Sequence, residues 1–301
     1  MRDRETKRRF GISPYLQLQL LVVIFAATTV FGRLASVSAP VLITWRCLIA
    51  GLTAFLWVAL IRRRKIWIGK HQILPLLGIG CIIGVHWLCL FGAVKIANVS
   101  IALAGLATLS LFTAFTEPLL TRARIRPFEV FLGLIVLGGI CLIAGVETTH
   151  LFGLGLALLS AVLAAIFLVL NRTIVIRGGD PMVMVGWEMV ASTVVCFLAI
   201  PIFDPLGFPA LAIGDAMDWL WILSLAWLCT VFAQALTNRL LGTISAYHFN
   251  LAANFEPVYG MIAAAFIFKE HAHLNPAFYL GTLAIVLANF LYPLLRKRFA
   301  C

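Results

Sequence analysis

Charged side chains are scarce in this 301-residue chain: Asp, Glu, Lys and Arg together make up 12%, about half the share with which a soluble domain solvates its surface. That deficit excludes a water-exposed globule of ordinary composition. Acidic residues are scarcer still, 12 against 23 Lys and Arg, for a formal net charge of +11. A basic excess of this size invites a nucleic-acid partner, but the cations stand between long apolar runs instead of forming one polar surface, so nucleic acid is excluded. The seven cysteines, Cys47, Cys81, Cys89, Cys141, Cys196, Cys229 and Cys301, show no CxxC or metal-ligand spacing. That leaves neither a disulfide framework nor a zinc site, only small packing hydrophobes. P-loop and nucleophile-base motifs are missing too, which disfavours a primary pump and most enzymes and leaves no cofactor to expect.

What the chain has in abundance is apolar length: 62% of its residues are hydrophobic and the mean hydropathy is +1.04, more than a core of this size can hide. A bilayer core about 30 Å thick needs roughly 20 apolar residues per helix, because lipid offers no water to exposed backbone groups. Ten such runs can be drawn, near 15–34, 41–61, 73–93, 99–119, 127–145, 153–174, 182–203, 219–238, 246–267 and 276–295. Turn signals punctuate the gaps, among them Pro40, Pro127, Gly178-Gly179, Pro181, Pro205 and Pro276. The basic stretch before the first run and the small residues after it would suit a cleaved signal peptide, but the run is too long for a typical signal core. The fold expected is all-α, with ten transmembrane helices.

Basic residues in short loops stay on the cytoplasmic side. With the N terminus inside, all but four of the 23 Lys and Arg fall there; Arg33, Lys95 and Lys269 lie opposite and Arg46 lies within the membrane. Both termini are therefore expected in the cytoplasm, in a multi-pass protein of the inner (plasma) membrane.

An internal repeat is legible as well. A shift of 148 residues sets Ile101–Ala144 on Phe249–Tyr292 without a gap, with Leu103-Ala104 on Leu251-Ala252 and Leu132-Gly133 on Leu280-Gly281. Span boundaries coincide with few identities, so spans 1 to 5 map onto 6 to 10. Five is odd, so the halves, 1–148 with its basic N terminus and 149–301, insert with opposite orientation. Inverted repeats are a transporter feature, with a site near the midplane between them.

Polar groups inside a membrane are costly and each is a functional candidate. Arg46 lies about 9 Å below the outer end of span 2 and Glu188 about 10 Å above the inner end of span 7, at 1.5 Å per residue. In a core about 30 Å thick they are too far apart in depth to pair. Glu188 is a coupling candidate whose alternative is neutral packing. The 148-residue shift sets His86 on Gln234, a polar group in both repeats, and Trp87 beside His86 is a stacking surface or an interfacial anchor. In span 9, Glu256-Pro257 is about ten residues in, roughly 15 Å, at the midplane. Pro257 has no amide proton and breaks the helix there. Asn250 and Asn254 share one face and offer donors and acceptors to cargo, whereas continuous helical rotation turns Glu256 about 200° away from Asn254, toward another helix. Gly80-xxx-Gly84 and Gly260-xxx-Ala264 read as close-packing motifs.

Three stretches carry a resemblance. Phe255-Glu256-Pro257-Val258-Tyr259-Gly260 with Lys269-Glu270, then Trp45-Arg46-Cys47-Leu48-Ile49-Ala50, then Leu156 to Leu170 followed by Asn171-Arg172 and Gly178-Gly179-Asp180-Pro181, resemble the EamA family of the drug/metabolite transporter superfamily. The resemblance implies ten helices in two inverted five-helix halves, and export or exchange of amino acids or related metabolites. One departure stands out: where the family's first half has a proline, this chain has Leu109, the counterpart of Pro257, so the paired helix breaks are not expected to match. Glu117-Pro118 lies nearer the cytoplasmic end of span 4 and reads as a terminus.

The function expected is a secondary transporter, not an enzyme, whose partners are a small-molecule substrate and the lipid bilayer, with a homodimer left open. The alternatives are a membrane-embedded enzyme and a membrane protein that transports nothing.

Overall fold

The computed structural model of the chain describes residues 14–122, 127–146, 148–244, 249, 252–253, 255–272 and 275–298. Their elements are α1 (Pro14–Leu34), α2 (Ala39–Leu56) continued by a π-helical turn at Trp57–Ile61, α3 (Lys70–Ile96), α4 (Val99–Leu106), α5 (Leu109–Thr121) and α6 (Pro127–Val146). Then come α7 (Leu151–Ile176), α8 (Pro181–Phe203), α9 (Ala216–Ala226), a π-helical segment at Trp227–Phe232, α10 (Ala233–Leu241), α11 (Glu256–Phe268) and α12 (Pro276–Arg298). Among the described residues there is no strand.

Among the described residues seven stretches are long and apolar enough to cross a bilayer: Leu16–Leu34, Ala39–Ile61, Lys70–Ile96, Val99–Thr121, Thr148–Ile176, Pro181–Phe203 and Ala216–Leu241. The protein is thus a multi-pass, all-α membrane protein. Leu134–Ile143 in α6, Glu256–Phe268 and Pro276–Ala288 are shorter apolar stretches. Of the ninth expected span, Phe249, Ala252 and Ala253 are helical and Phe255 is a turn ahead of α11, while its other residues before Glu256 lie outside those described.

Packing follows membrane logic, with small residues inside and large ones out. Leu52, Leu56, Leu74, Val194, Leu198, Ile202 and Phe266 are exposed. Gly80 of α3 sits against the backbone of Glu188 and the methyl of Ala191, and Gly84 against Ser192 and Val195. Ser192 Oγ reaches back 2.7 Å to the Gly80 carbonyl, so α3 and α8 meet nearly backbone to backbone. Gly139 of α6 and Gly281 of α12 face each other in the same way; a Cβ on either would come within 2.8 Å of the other's carbonyl.

Helix pairing repeats when the halves are exchanged. α2 packs on α8 and α6 on α12; α3 packs on α7 and α8, as α9 and the following π-segment pack on α1 and α2; α4 and α5 pack on α7, as α11 packs on α1. The helix ends gather into two sets. In one, Arg33 bonds the Val94 carbonyl, Lys95 the Ala35 carbonyl, Ser36 the Asp218 carboxylate and Trp45 the Leu211 carbonyl, while Gly153 abuts Ala97. In the other, Arg62 and Arg64 meet Asp180, Trp187 bonds the Ile66 carbonyl, and Arg172 meets Glu117 and the Ile244 carbonyl. α1 ends in the first set where α7 begins, so these two helices run in opposite directions.

Span 4 is interrupted at Ala107-Thr108, between α4 and α5, although no proline stands there. Thr108 (φ −78°, ψ −4°) matches Phe255 (φ −79°, ψ −16°), which precedes α11. The Thr108 hydroxyl and its own N–H both donate to the Gly105 carbonyl, at 2.6 and 3.2 Å, a local side-chain bond that competes with the regular helical pattern. The missing proline at Leu109 therefore does not remove the break. Both interrupted segments also end alike, on a left-handed residue, Arg122 (φ 58°) and Lys269 (φ 56°).

Candidate functional site

Between the two sets of helix ends the bundle encloses a cavity with about 80 Å³ accessible to the centre of a water molecule. Its walls come from both halves: Phe25 and Thr28 of α1, Arg46 of α2, His86 and Trp87 of α3, Phe167 of α7, Gln234 and Thr237 of α10, then Phe249, Ala253 and Glu256 around the second helix break. At about 10–15 Å³ for each water, it has room for a handful of water molecules.

Arg46 is the largest fully buried side chain and does not snorkel; it is 1% exposed. Its guanidinium lies 4.0 Å over the Trp87 ring and 5.6 Å from Phe91. Nε donates to Thr230 Oγ1 at 2.6 Å and Nη2 to the Cys229 carbonyl at 3.2 Å. Both acceptors belong to the π-helical segment Trp227–Phe232, where Thr230 Oγ1 in turn donates to the Leu225 carbonyl, five residues back. The widened turn carries the groups that seat the guanidinium, a common use of π-bulges. Nη1 has no partner. No ion pair engages Arg46 among the described residues, whose pairs are Arg62 and Arg64 with Asp180 and Arg172 with Glu117.

Trp87, open in the sequence between anchor and stacking surface, is buried and stacks on Arg46. A desolvated cation–π contact contributes about 2 kcal/mol. His86 Nδ1 lies 2.8 Å from both the Ser160 carbonyl and its hydroxyl. A carbonyl only accepts, so Nδ1 carries a proton, and in the neutral ring Nε2 is then the acceptor. Phe167 closes on the ring edge to face at 5.4 Å. Gln234 Nε2 and Thr237 Oγ1 are buried without partners.

Glu256 lines the cavity, contrary to the angular reading that turned it toward another helix. Phe249, Ala253 and Glu256 line the cavity at i, i+4 and i+7, one helical face, so the cavity meets that face and not the one the angular reading assigned to it. Pro257, beside it, is buried in the first turn of α11, where its missing N–H costs no hydrogen bond. Asn250 and Asn254 lie outside the described residues. Glu188 does not line the cavity: it is fully buried between α8 and α3, both carboxyl oxygens lack partners, and Asn171 of α7 is its polar neighbour. Gly51 of α2 packs level with Gly186 and Met189 of α8. From that level, counting turns sets Arg46 and Glu188 about 7 Å apart along the helix axes.

Sequence reasoning missed Thr230, Phe25, Phe167, Phe249 and Thr237. None stands out in an apolar run, and only the π-segment, which has no sequence signature, turns Thr230 toward Arg46.

The EamA-like transporter family model matches residues 12–145 and again 151–292. The chain belongs to that family. The two matches split it into two repeats. A solved structure titled "Crystal structure of protein" shares the fold, with a TM-score of 0.66 over 96% of this chain and 98% of its own at 19% identity. No curated protein matches the sequence. The EamA-like chain thus carries its central cavity at the meeting of its two repeats.

Proposed function

We propose that this protein is a secondary transporter of ten transmembrane helices in two inverted five-helix halves. It exports or exchanges a small metabolite, an amino acid or related compound, across the inner membrane, with both termini in the cytoplasm. The observation that carries the reading is the uncompensated Arg46 in the central cavity. A buried guanidinium with a free Nη1 and no carboxylate partner is costly in a low dielectric, and the carboxylate of a cargo would supply both its charge and its hydrogen bond. Glu256 across the cavity offers an acceptor for an ammonium group, Gln234 Nε2 a second donor, and Phe25, Phe167, Phe249 and Trp87 an apolar wall. That set is complementary to a zwitterion. Broken helices beside a midplane cavity also suit alternating access, as does the exchange symmetry of the helix pairs.

The test is flux. Purified protein in liposomes is loaded with a panel of labelled amino acids, and metabolites are profiled in the medium of overexpressing cells. We expect counterflow of at least one small zwitterion, abolished in Arg46→Gln. Absence of flux for every amino acid, with a cation or a neutral solute transported instead, would overturn the substrate class.

A further inference from the structure

We infer that the basic hollow at the ends of α3, α7 and α8 is a binding site for the headgroup of an anionic phospholipid. This hollow is separate from the central cavity. It opens to about 370 Å³ and is lined by Ile68, His71, Gln72, Arg177, Gly178 and Asp180, with Pro75, Ile174 and Met184 at its floor and wall. Two tight turns frame it, held by left-handed glycines at Gly69 (φ 92°) and Gly178 (φ 93°). The loop at 62–70 and the turn at 177–180 bring six cations to this end, Arg62, Arg63, Arg64, Lys65, Lys70 and Arg177, against one carboxylate, Asp180. Arg62 and Arg64 are spent on Asp180, at 3.2 and 3.4 Å. The side chains of Arg177, His71 and Gln72 make no hydrogen bond or ion pair among the described residues, so their donors are free for a phosphate.

Depth and rim distinguish a lipid from a soluble anion. Trp67 and Trp187 stand beside the hollow in edge-to-face contact at 5.9 Å, and Trp187 Nε1 donates to the Ile66 carbonyl. Paired tryptophans of this kind mark the level of the headgroups. The flanks Leu74 (71% exposed) and Ile176 (56% exposed) are apolar, the surface acyl chains would cover. Basic pockets between membrane helices are known to hold anionic headgroups. The hollow at the opposite helix ends, about 410 Å³, has the reverse character: Asp204, Asp215 and Asp218 line it and no cation does.

The experiment is native mass spectrometry of the full-length protein released from detergent micelles. Phosphatidylglycerol, phosphatidylcholine or glycerol 3-phosphate is added at equal concentration. We expect wild-type protein to retain phosphatidylglycerol at least fivefold over phosphatidylcholine. The preference should fall at least threefold in the double variant Arg177→Gln/His71→Ala and persist in Arg63→Gln, whose site lies in the same loop but outside the hollow. Equal retention of the two lipids by wild-type protein, a measurement that needs no variant to fold, overturns the inference. So does full competition by glycerol 3-phosphate, which would make this a soluble-anion site. Preference unchanged in a monodisperse double variant would place the lipid elsewhere and overturn it as well.

Discussion

Arg46 is tied down on three sides and open on one. Thr230 and the Cys229 carbonyl fix its edge and Trp87 its face, while Nη1 is left for a ligand. We expect Arg46→Gln to lower the rate of exchange at least tenfold. Arg46→Lys should recover only part, because a lysine keeps the charge but cannot span Thr230, Cys229 and the ring at once. Thr230→Val leaves the guanidinium charged with one hydrogen bond lost, a cost of about 1–3 kcal/mol. It should appear as a raised half-saturation constant in a concentration series. The second buried charge is a different case. Glu188 sits about 7 Å away along the helix axes with Asn171 as its polar neighbour. The charge exchange Arg46→Glu/Glu188→Arg should therefore restore no transport; recovery of flux in that double variant would show that the two groups meet during the cycle.

At the scale of elements, α4 begins inside the protein and its N-terminal donors are filled from the other half of the chain. Glu270, in the turn after α11, accepts from Val99 N at 3.0 Å, Ser100 N at 2.9 Å and Ser100 Oγ at 2.6 Å, while Asn98 caps Ile101 N. A carboxylate at a helix N terminus is favoured by the free N–H groups and by the helix dipole. Glu270→Ala leaves two buried amides unsatisfied and should cost about 2–4 kcal/mol, measured as a fall in the thermal midpoint in detergent, with Glu270→Gln intermediate. Gly80→Val should lower the midpoint too, since a Cβ there meets the backbone of Glu188 and α3 would have to move off α8. An overpacked contact of this kind costs about 1–3 kcal/mol.

For the whole molecule, the two sets of helix ends are geometric facts, and the distribution of Lys and Arg assigns them to sides. The set holding Arg62, Arg64 and Arg172 should be cytoplasmic. Reporter fusions after Lys65, Arg124 and Arg298 should read inside, and fusions after Glu147 and Asp204 outside. A C terminus read on the outer side would overturn both the ten-helix count and the inversion of the halves.

Composition and hydropathy by themselves determined that this protein spans a membrane and where most of its helices lie, because lipid imposes one requirement, apolar length, that every span must display. The same patterns picked out Arg46, His86, Trp87, Gln234 and Glu256, since a polar residue in an apolar run is conspicuous. Tertiary structure decided what those residues face. Glu256 faces the cavity with Phe249 and Ala253, a helical face that no residue pattern singled out, and span 4 breaks at Thr108 without the proline a sequence motif requires. Thr230 and the Cys229 carbonyl reach Arg46 only because a π-helical segment widens the chain there, and the Glu270 cap joins residues 170 apart. Contacts of that range depend on how helices cross, which packing of small residues sets and which no local pattern records.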